Sequence, residues 1–336
     1  MSIKNWPGGR ISKTPPTPAG PYQDGAASGV WTLDQAAFWT KQGLWPTAGN
    51  VNPLDRTLWG GGFNSVSATV NTIQYVNIGS TGNTADFGDL TVARYSPSAC
   101  ASSTRCVWMG GDSGSNTNII DYVTIATTGN ATDFGDLTES VTISAACNSN
   151  TRGVRGGGFA GGSPFNVLDY ITIASAGNAT DFGDLSVARR SLAACSSSSR
   201  GLFGLGFDGS SNVSSVEYIT IASTGNASSF GSLTIAASGS SSCASSNSTR
   251  GLFGIGGTNT VEYLTIATTG GGTDFGDVSG TFGFNSSAAG TTRALFSRTN
   301  SLVYFTIATT GNSTAFGDLV QQIYLAASCG NNGGNQ

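Results

Sequence analysis

The sequence predicts an all-β protein, a six-bladed β-propeller of four-stranded blades, preceded by an extended N-terminal arm that carries one short helix. Two observations predict the propeller. A tract first met at residues 81–90, Thr-Gly-Asn-Thr-Ala-Asp-Phe-Gly-Asp-Leu, recurs along the chain. Each copy belongs to a unit of four strand-like tracts, which matches the strand number and the period of a propeller blade. The phenylalanine of the tract marks the six units: Phe87, Phe134, Phe182, Phe230, Phe275 and Phe316.

Residues 1–50 differ in composition from residues 51–336, and this difference predicts a separate arm. They hold six of the nine prolines, four of the six tryptophans and every lysine of the chain. The prolines favour extended chain. Within the arm, Thr32-Leu33-Asp34-Gln35 fits a capping box and predicts a helix from Leu33 to about Gln42. So short a helix is marginal alone and needs a surface to pack against.

The large apolar residues of the arm allow two interpretations. Either they fold back onto the propeller of the same chain, or they dock into a partner, where buried aromatic side chains dominate the binding energy. The candidate docking residues are Trp6, Trp31, Leu33, Phe38, Trp39 and Trp45.

Each unit repeats the same succession of strand-like tracts. A small-residue tract such as 191–195 comes first, and a tract that starts at an arginine, such as 200–204, follows it. The next tract, for example 73–78, is dense in β-branched and aromatic residues, as strands are. Thr-Gly-Asn or a close variant then predicts a hairpin turn, because Gly and Asn tolerate positive φ. The phenylalanine tract supplies the fourth strand.

The two ends of the repeat region predict how the ring closes. The first unit begins at Arg56 with no small-residue tract ahead of it, whereas residues 324–329, Tyr-Leu-Ala-Ala-Ser-Cys, form a spare one. We expect this C-terminal tract to supply the innermost strand of the first blade, because closure of this kind leaves no open sheet edge.

The units resemble kelch-type repeats over residues 51–336. Kelch units pair a glycine doublet after the second strand with a downstream tyrosine and a tryptophan. Here the doublet is Gly60-Gly61 or Gly110-Gly111, and phenylalanine stands where tryptophan is usual. The sixth unit departs from the pattern, with Ser297-Arg298 in place of the doublet. The tyrosines of the six units are Tyr75, Tyr122, Tyr170, Tyr218, Tyr263 and Tyr304.

The cysteines are expected to be free thiols. Symmetry sets residues at one repeat position apart around an axis, so we interpret them as small buried apolar groups, as suits a protein folded in a reducing cytosol. A ring of metal ligands is the alternative, although the short ligand spacing of a zinc site is missing. Only Cys106 lies at a different place in its unit. Five cysteines are assigned to the shared position, with Ala288 in the remaining unit: Cys100, Cys147, Cys195, Cys243 and Cys329.

The recurring Asp-Phe-Gly-Asp tract indicates a structural role, because it is present in nearly every unit. We expect its carboxylates to cap turns by accepting hydrogen bonds from backbone N–H groups. Calcium binding is the alternative. Asn130-Ala131-Thr132 and two similar tracts match N-glycosylation acceptors, but the turn explains them better.

Six arginines at equivalent positions are expected to form a ring at one end of the propeller. One interpretation pairs them with acids one strand over, namely Asp121, Asp169, Glu217 and Glu262. The other is a site for an anion or an acidic glycan, because guanidinium matches carboxylate geometry. This arginine ring consists of Arg56, Arg105, Arg152, Arg200, Arg250 and Arg293.

Composition excludes several classes of chemistry. The chain has no histidine, which excludes Ser-His-Asp catalysis and histidine-ligated metals. A formal net charge of -4 argues against a nucleic-acid binder. With no run of 18 apolar residues, we expect no membrane insertion. No catalytic constellation is evident, so the chain is predicted to be no enzyme and to have no catalytic residues, metal or cofactor.

The arm and the repeats also resemble parts of tailed-bacteriophage proteins. Residues 29–35 and 43–46 are similar to short segments of virion proteins, and the Gly/Ser/Thr-rich repeats look like tail-associated propellers. The resemblance implies a structural protein of the virion, assembled in the host cytoplasm. Residues 1–50 would bind other virion proteins at the tail or a fibre, and the propeller would contact the host surface, including a surface glycan. A capsid decoration protein without a receptor role and a cellular kelch-like protein-binding scaffold are the alternatives.

Overall fold

The fold was determined as a computed structural model, which describes residues 56–237, 242–279, 286–298 and 300–330. Six four-stranded antiparallel sheets succeed one another around an axis, so the predicted six-bladed propeller is confirmed. The described residues contain no helix. The chain divides into two units, 1–54 and 55–336. The predicted arm, its helix and its docking residues lie outside the described residues and stay predictions.

The strands of each blade have nearly constant lengths. The innermost strands are β4 (Ser98–Ala101), β8 (Ala145–Asn148), β14 (Ala193–Ser196), β18 (Cys243–Ser246), β22 (Ser286–Ala289) and β26 (Ala327–Gly330). The second strands are β1 (Arg56–Gly60), β5 (Arg105–Met109), β9 (Arg152–Gly156), β15 (Arg200–Gly204), β19 (Arg250–Gly254) and β23 (Arg293–Ser297). The third strands are β2 (Thr72–Asn77), β6 (Ile119–Thr124), β12 (Val167–Thr172), β16 (Ser215–Thr220), β20 (Thr260–Thr265) and β24 (Ser301–Thr306). The outermost strands are β3 (Ala85–Asp89), β7 (Thr132–Asp136), β13 (Thr180–Asp184), β17 (Ser228–Ser232), β21 (Thr273–Asp277) and β25 (Thr314–Asp318). A two-stranded ribbon, β10 (Phe159–Ala160) with β11 (Ser163–Pro164), lies in a loop of the third blade.

The C-terminal strand closes the ring as predicted. Strand β26 pairs antiparallel with β1, with Thr57 opposite Gly330 and Gly60 opposite Ala327. The first blade therefore takes its innermost strand from the end of the propeller and its other three from the beginning.

The hydrophobic core consists of six layers, each between two neighbouring blades. In the first layer, Leu58 and Phe87 of blade 1 pack with Trp108 and Val123 of blade 2. Successive residues of a strand point to opposite faces, so Leu58 and its neighbour Trp59 enter different layers. The low charge content follows, because both faces of every blade are covered by another blade.

The hairpin turn of each blade covers the outer edge of the preceding blade. The N–H groups of Gly129 and Ala131 in blade 2 donate to the carbonyls of Phe87 and Asp89 in blade 1, at 2.8 and 2.7 Å. Asn130 Oδ1 accepts from the Asp89 N–H at 3.1 Å. Equivalent backbone bonds join every pair of neighbouring blades, including the sixth and the first. They satisfy strand edges that would otherwise be open to pairing with other chains.

This contact between neighbouring blades explains why both the Thr-Gly-Asn turn and the Phe-Gly pair recur. The asparagine side chain accepts a hydrogen bond from the outermost strand of the preceding blade, and no described asparagine has positive φ. Gly88 has φ +148°, and a Cβ there would strike the Gly129 carbonyl. The expectation that the Asp-Phe-Gly-Asp carboxylates cap turns is wrong, because in the described chain these carboxylates accept no hydrogen bond. The side-chain acceptor of a backbone N–H in this contact is the turn asparagine.

The cysteines require two corrections. Cys243 lies opposite Gly254, whereas Cys195 lies opposite Leu202, so Cys243 is two residues out of the shared position, which Ser245 fills. The expectation that all six cysteines are free is also wrong, because Cys106 and Cys329 form a disulfide. The other four are free and buried: Cys100, Cys147, Cys195 and Cys243.

The disulfide follows from the packing of the repeat. In three other layers the inner cysteine of one blade contacts the glycine after the ring arginine of the next, as Cys147 contacts Gly201. In blade 2 that glycine is replaced by Cys106, so its sulfur meets that of Cys329 from the first blade.

Candidate functional site

The arginine ring joins neighbouring blades. Each guanidinium donates through Nη1 to the carbonyl of the residue that directly follows the third strand of the next blade, at 2.8 to 3.1 Å. Each also stacks over the tyrosine of its own blade, at 4.3 to 4.8 Å from the ring centroid. That tyrosine meets the repeat phenylalanine edge to face, as Tyr75 meets Phe87 at 5.6 Å. The recurrence of arginine, tyrosine and phenylalanine is thereby explained as one stack.

The acids expected to pair with the arginine ring pair with other groups, so that expectation is wrong. Asp121 pairs with Arg94 at 2.7 Å. Glu217 pairs with Arg189 at 2.8 Å. Glu262 accepts a hydrogen bond from the Thr234 N–H at 2.9 Å. Binding of an anion by the arginine ring stays a prediction.

The sequence analysis did not identify three buried arginines that form ion pairs with acids of the blades. Arg94 and Arg189 lie in the loops that enter blades 2 and 4, and each reaches the acid of the blade it enters. The signal was present, because Val-Ala-Arg occurs at 92–94 and again at 187–189. Blade 3 differs: its loop carries Val141, and Arg155 of β9 pairs with Asp169 instead.

In blade 3 the arginine therefore lies in the second strand and the apolar residue in the loop, the reverse of blades 2 and 4. Arg155 stands in its strand where Trp108 and Phe203 stand in blades 2 and 4. Both Arg155 and Asp169 have fully buried side chains. Burial lowers the pKa of Arg155, whereas Asp169 raises it and keeps the guanidinium charged. These ion pairs fix blade positions and are closed to a ligand.

An axial cavity of about 120 Å³ lies where the innermost strands begin. Strands and loops of all six blades line it, mostly with alanine and serine: Ser98, Ser144, Ser191, Ser286, Ser287 and Ser328 among the hydroxyls. Toward the other end the innermost strands are tied together. Ser196 Oγ donates to the Asn148 carbonyl at 2.8 Å, and Ser246 Oγ donates to the Ser196 carbonyl at 2.6 Å. These side chains are fully buried.

The chain enters and leaves the propeller at the end of the axis away from the cavity. Arg56 opens β1 at the end where Thr57 pairs with Gly330. The cavity lies at the other end, where Ala327 pairs with Gly60 and lines the cavity wall. One end of the propeller thus carries the cavity, and the other carries the entry and exit of the chain.

Comparison with models of known protein families gives no match, and comparison with curated protein sequences gives none either. Within the ranges described, no group of three metal-ligating side chains is close enough to hold an ion. No helix suited to crossing a bilayer is found in that same part of the chain.

Proposed function

We propose that the protein is a structural component of a tailed-bacteriophage virion, with residues 1–50 docked on the particle at the tail or a fibre and the propeller directed at the host surface. The observation that supports it best is the polarity of the propeller. The chain enters at Arg56, and the axial cavity lies at the other end of the axis. In this proposal the cavity end is the one that contacts the host surface.

The internal use of polar groups supports a binding and structural role. In the described part of the chain, three buried acids form ion pairs with arginines, and these pairs position the blades. The acids are Asp121, Asp169 and Glu217. The resemblance of the arm to virion segments and of the repeats to kelch-type units points the same way. A rigid closed disc of this kind suits a protein that presents a surface, since its strand edges are covered.

Deletion of residues 1–50 tests the docking role. We expect the truncated propeller to fold, with an unchanged β-sheet circular dichroism spectrum, and to be absent from purified particles. A narrower variant replaces Phe38, Trp39 and Trp45 with alanine in the full chain. Removal of residues 331–336 is the matched control, and it should leave incorporation unchanged. Normal incorporation of a folded chain that lacks the arm would refute the proposal.

The position of the protein on the particle separates the proposal from a capsid decoration role. Imaging of particles that carry a tagged chain should show label at the tail. Label over the capsid would support the decoration alternative, and failure of the full-length chain to enter any particle would support a cellular scaffold.

A further inference from the structure

Arg190 differs from every other described arginine in having no hydrogen-bond acceptor for its side chain. The arginine ring uses backbone carbonyls, Arg94, Arg155 and Arg189 use carboxylates, and Arg298 donates to the Ser279 carbonyl at 2.6 Å. Arg190 is half-buried, and within the described chain its guanidinium lies over two aromatic rings and donates no hydrogen bond. A cation that keeps its N–H groups unused on a rigid scaffold is suited to bind an external anion.

Two phenylalanines hold this guanidinium in place. Its central carbon lies 4.9 Å from the ring centroid of Phe159 and 5.2 Å from that of Phe207. The backbone of Arg190 exchanges two hydrogen bonds with Phe207, at 3.0 and 2.9 Å, and Phe159 exchanges two with Thr142, at 2.8 and 3.2 Å. The side chain is thus positioned before any ligand arrives, which reduces the entropy lost on binding.

Arg190 lies beside the axial cavity. The next residue, Ser191, lines the cavity, and its N–H donates to the carbonyl of Ile143, another lining residue, at 3.0 Å. The same end of the propeller carries the stacked pair Phe63 and Tyr95, with ring centroids 4.2 Å apart. Hydroxyls line the cavity, and aromatic rings and one fixed charge lie at the same end of the propeller. Small-ligand sites combine groups of these kinds.

We propose that the cavity end of the propeller binds a saccharide that bears a carboxylate, and that Arg190 recognises the carboxylate. The guanidinium fork matches a carboxylate in two parallel hydrogen bonds. The serine hydroxyls of the cavity both donate and accept, as sugar hydroxyls require. The inference rests on the proposed function for the origin of the saccharide, a host surface glycan, and on geometry alone for the site.

The test compares methyl β-D-glucuronide with methyl β-D-glucoside, which differ at the carboxylate. Binding to the full chain is measured by titration calorimetry. We expect the glucuronide to bind at least about tenfold more tightly, the effect of one charge-assisted contact. Arg190→Gln should remove this preference. Arg298→Gln, which removes a guanidinium that has its own carbonyl partner, is the matched control and should keep it.

Further measurements separate saccharide binding from folding defects and from the virion role. In the unaltered protein, glucuronide should shift the amide NMR signals of Ser191 and Phe207. Arg190→Lys should weaken binding while leaving the unfolding midpoint unchanged. Equal binding of both glycosides, an unaffected Arg190→Gln variant, or sodium sulfate that binds as tightly as glucuronide would each overturn the proposal. Particle incorporation is scored separately, so glucuronide binding by a chain that enters no particle would refute only the virion role.

Discussion

Cys329 in the C-terminal strand is bonded to Cys106 in the second blade, 223 residues earlier in the chain. Their Cα atoms lie 6.1 Å apart. Strand β26 is thus joined to blade 1 by hydrogen bonds and to blade 2 by a covalent bond. The ring is fastened at the place where its two ends meet.

The disulfide is expected to stabilise the propeller by about 2–5 kcal/mol, because it closes a long loop in the unfolded chain. Cys106→Gly is the matched variant, since glycine occupies this position in three other blades. Its urea unfolding midpoint should lie well below that of the unaltered protein. Reducing agent should lower the midpoint of the unaltered protein and leave that of Cys106→Gly unchanged. A reductant effect of equal size in both proteins would contradict the assignment.

The ion pair of blade 3 offers an exchange experiment. Arg155→Phe alone leaves Asp169 buried without its cation and should cost about 3–5 kcal/mol in the free energy of unfolding. Val141→Arg added to Arg155→Phe recreates the arrangement of blades 2 and 4 and should recover most of that loss. Urea unfolding of the single and double variants measures both effects. If the double variant is no more stable than the single one, the two positions are not equivalent.

Gly317 and Gly82 face each other where blade 6 meets blade 1. A Cβ on Gly317 would strike the Gly82 carbonyl, whereas a Cβ on Gly82 would meet nothing within 4 Å. We expect Gly317→Ala to destabilise the propeller by about 1–3 kcal/mol through forced displacement of backbone, and Gly82→Ala to be close to neutral. Thermal unfolding of both variants tests the contact, and equal midpoints would be the contrary result.

The buried thiols predict a loss of stability in alkali. Burial raises the pKa of Cys243 from 9.0 to about 12. Between these values the folded state holds a proton that the unfolded state has released, so stability is full below the unfolded pKa and falls as pH rises. Urea midpoints at about pH 8 and about pH 10 measure the decline. Cys243→Ser, which places the side chain that Ser98 and Ser286 already supply in blades 2 and 6, should decline less.

The blade count, the strand order and the closing strand could be predicted from the sequence because each depends on local pattern. Strand composition, turn residues and a spare tract at 324–329 are visible without knowledge of the partner blade. The bounds of the third strands agree to within one or two residues, as the tract 73–78 corresponds to the strand Thr72–Asn77, whereas the closing tract 324–329 forms a strand only over Ala327–Gly330.

Contacts between blades were harder to predict, because they depend on which face of a strand a side chain occupies. Cys243 shows the difficulty: it lies seven residues before Arg250, whereas Cys195 lies five before Arg200. Residues two apart share a face, so composition alone does not separate them, although counting back from the arginine does. Arg190 could not be predicted as a site, because its distinction is the lack of an acceptor, which only the three-dimensional structure reveals.

The position of β1 within its blade has a mechanical consequence. Strand β1 lies between β26 and β2, and hydrogen bonds run from both of its sides, perpendicular to the strand. A force applied at Arg56 along the axis of this strand strains the bonds on both sides together in shear instead of opening them one after another. Such a force is shared by the two interfaces of β1 within the first blade, and the disulfide between Cys329 and Cys106 carries part of it into the second blade.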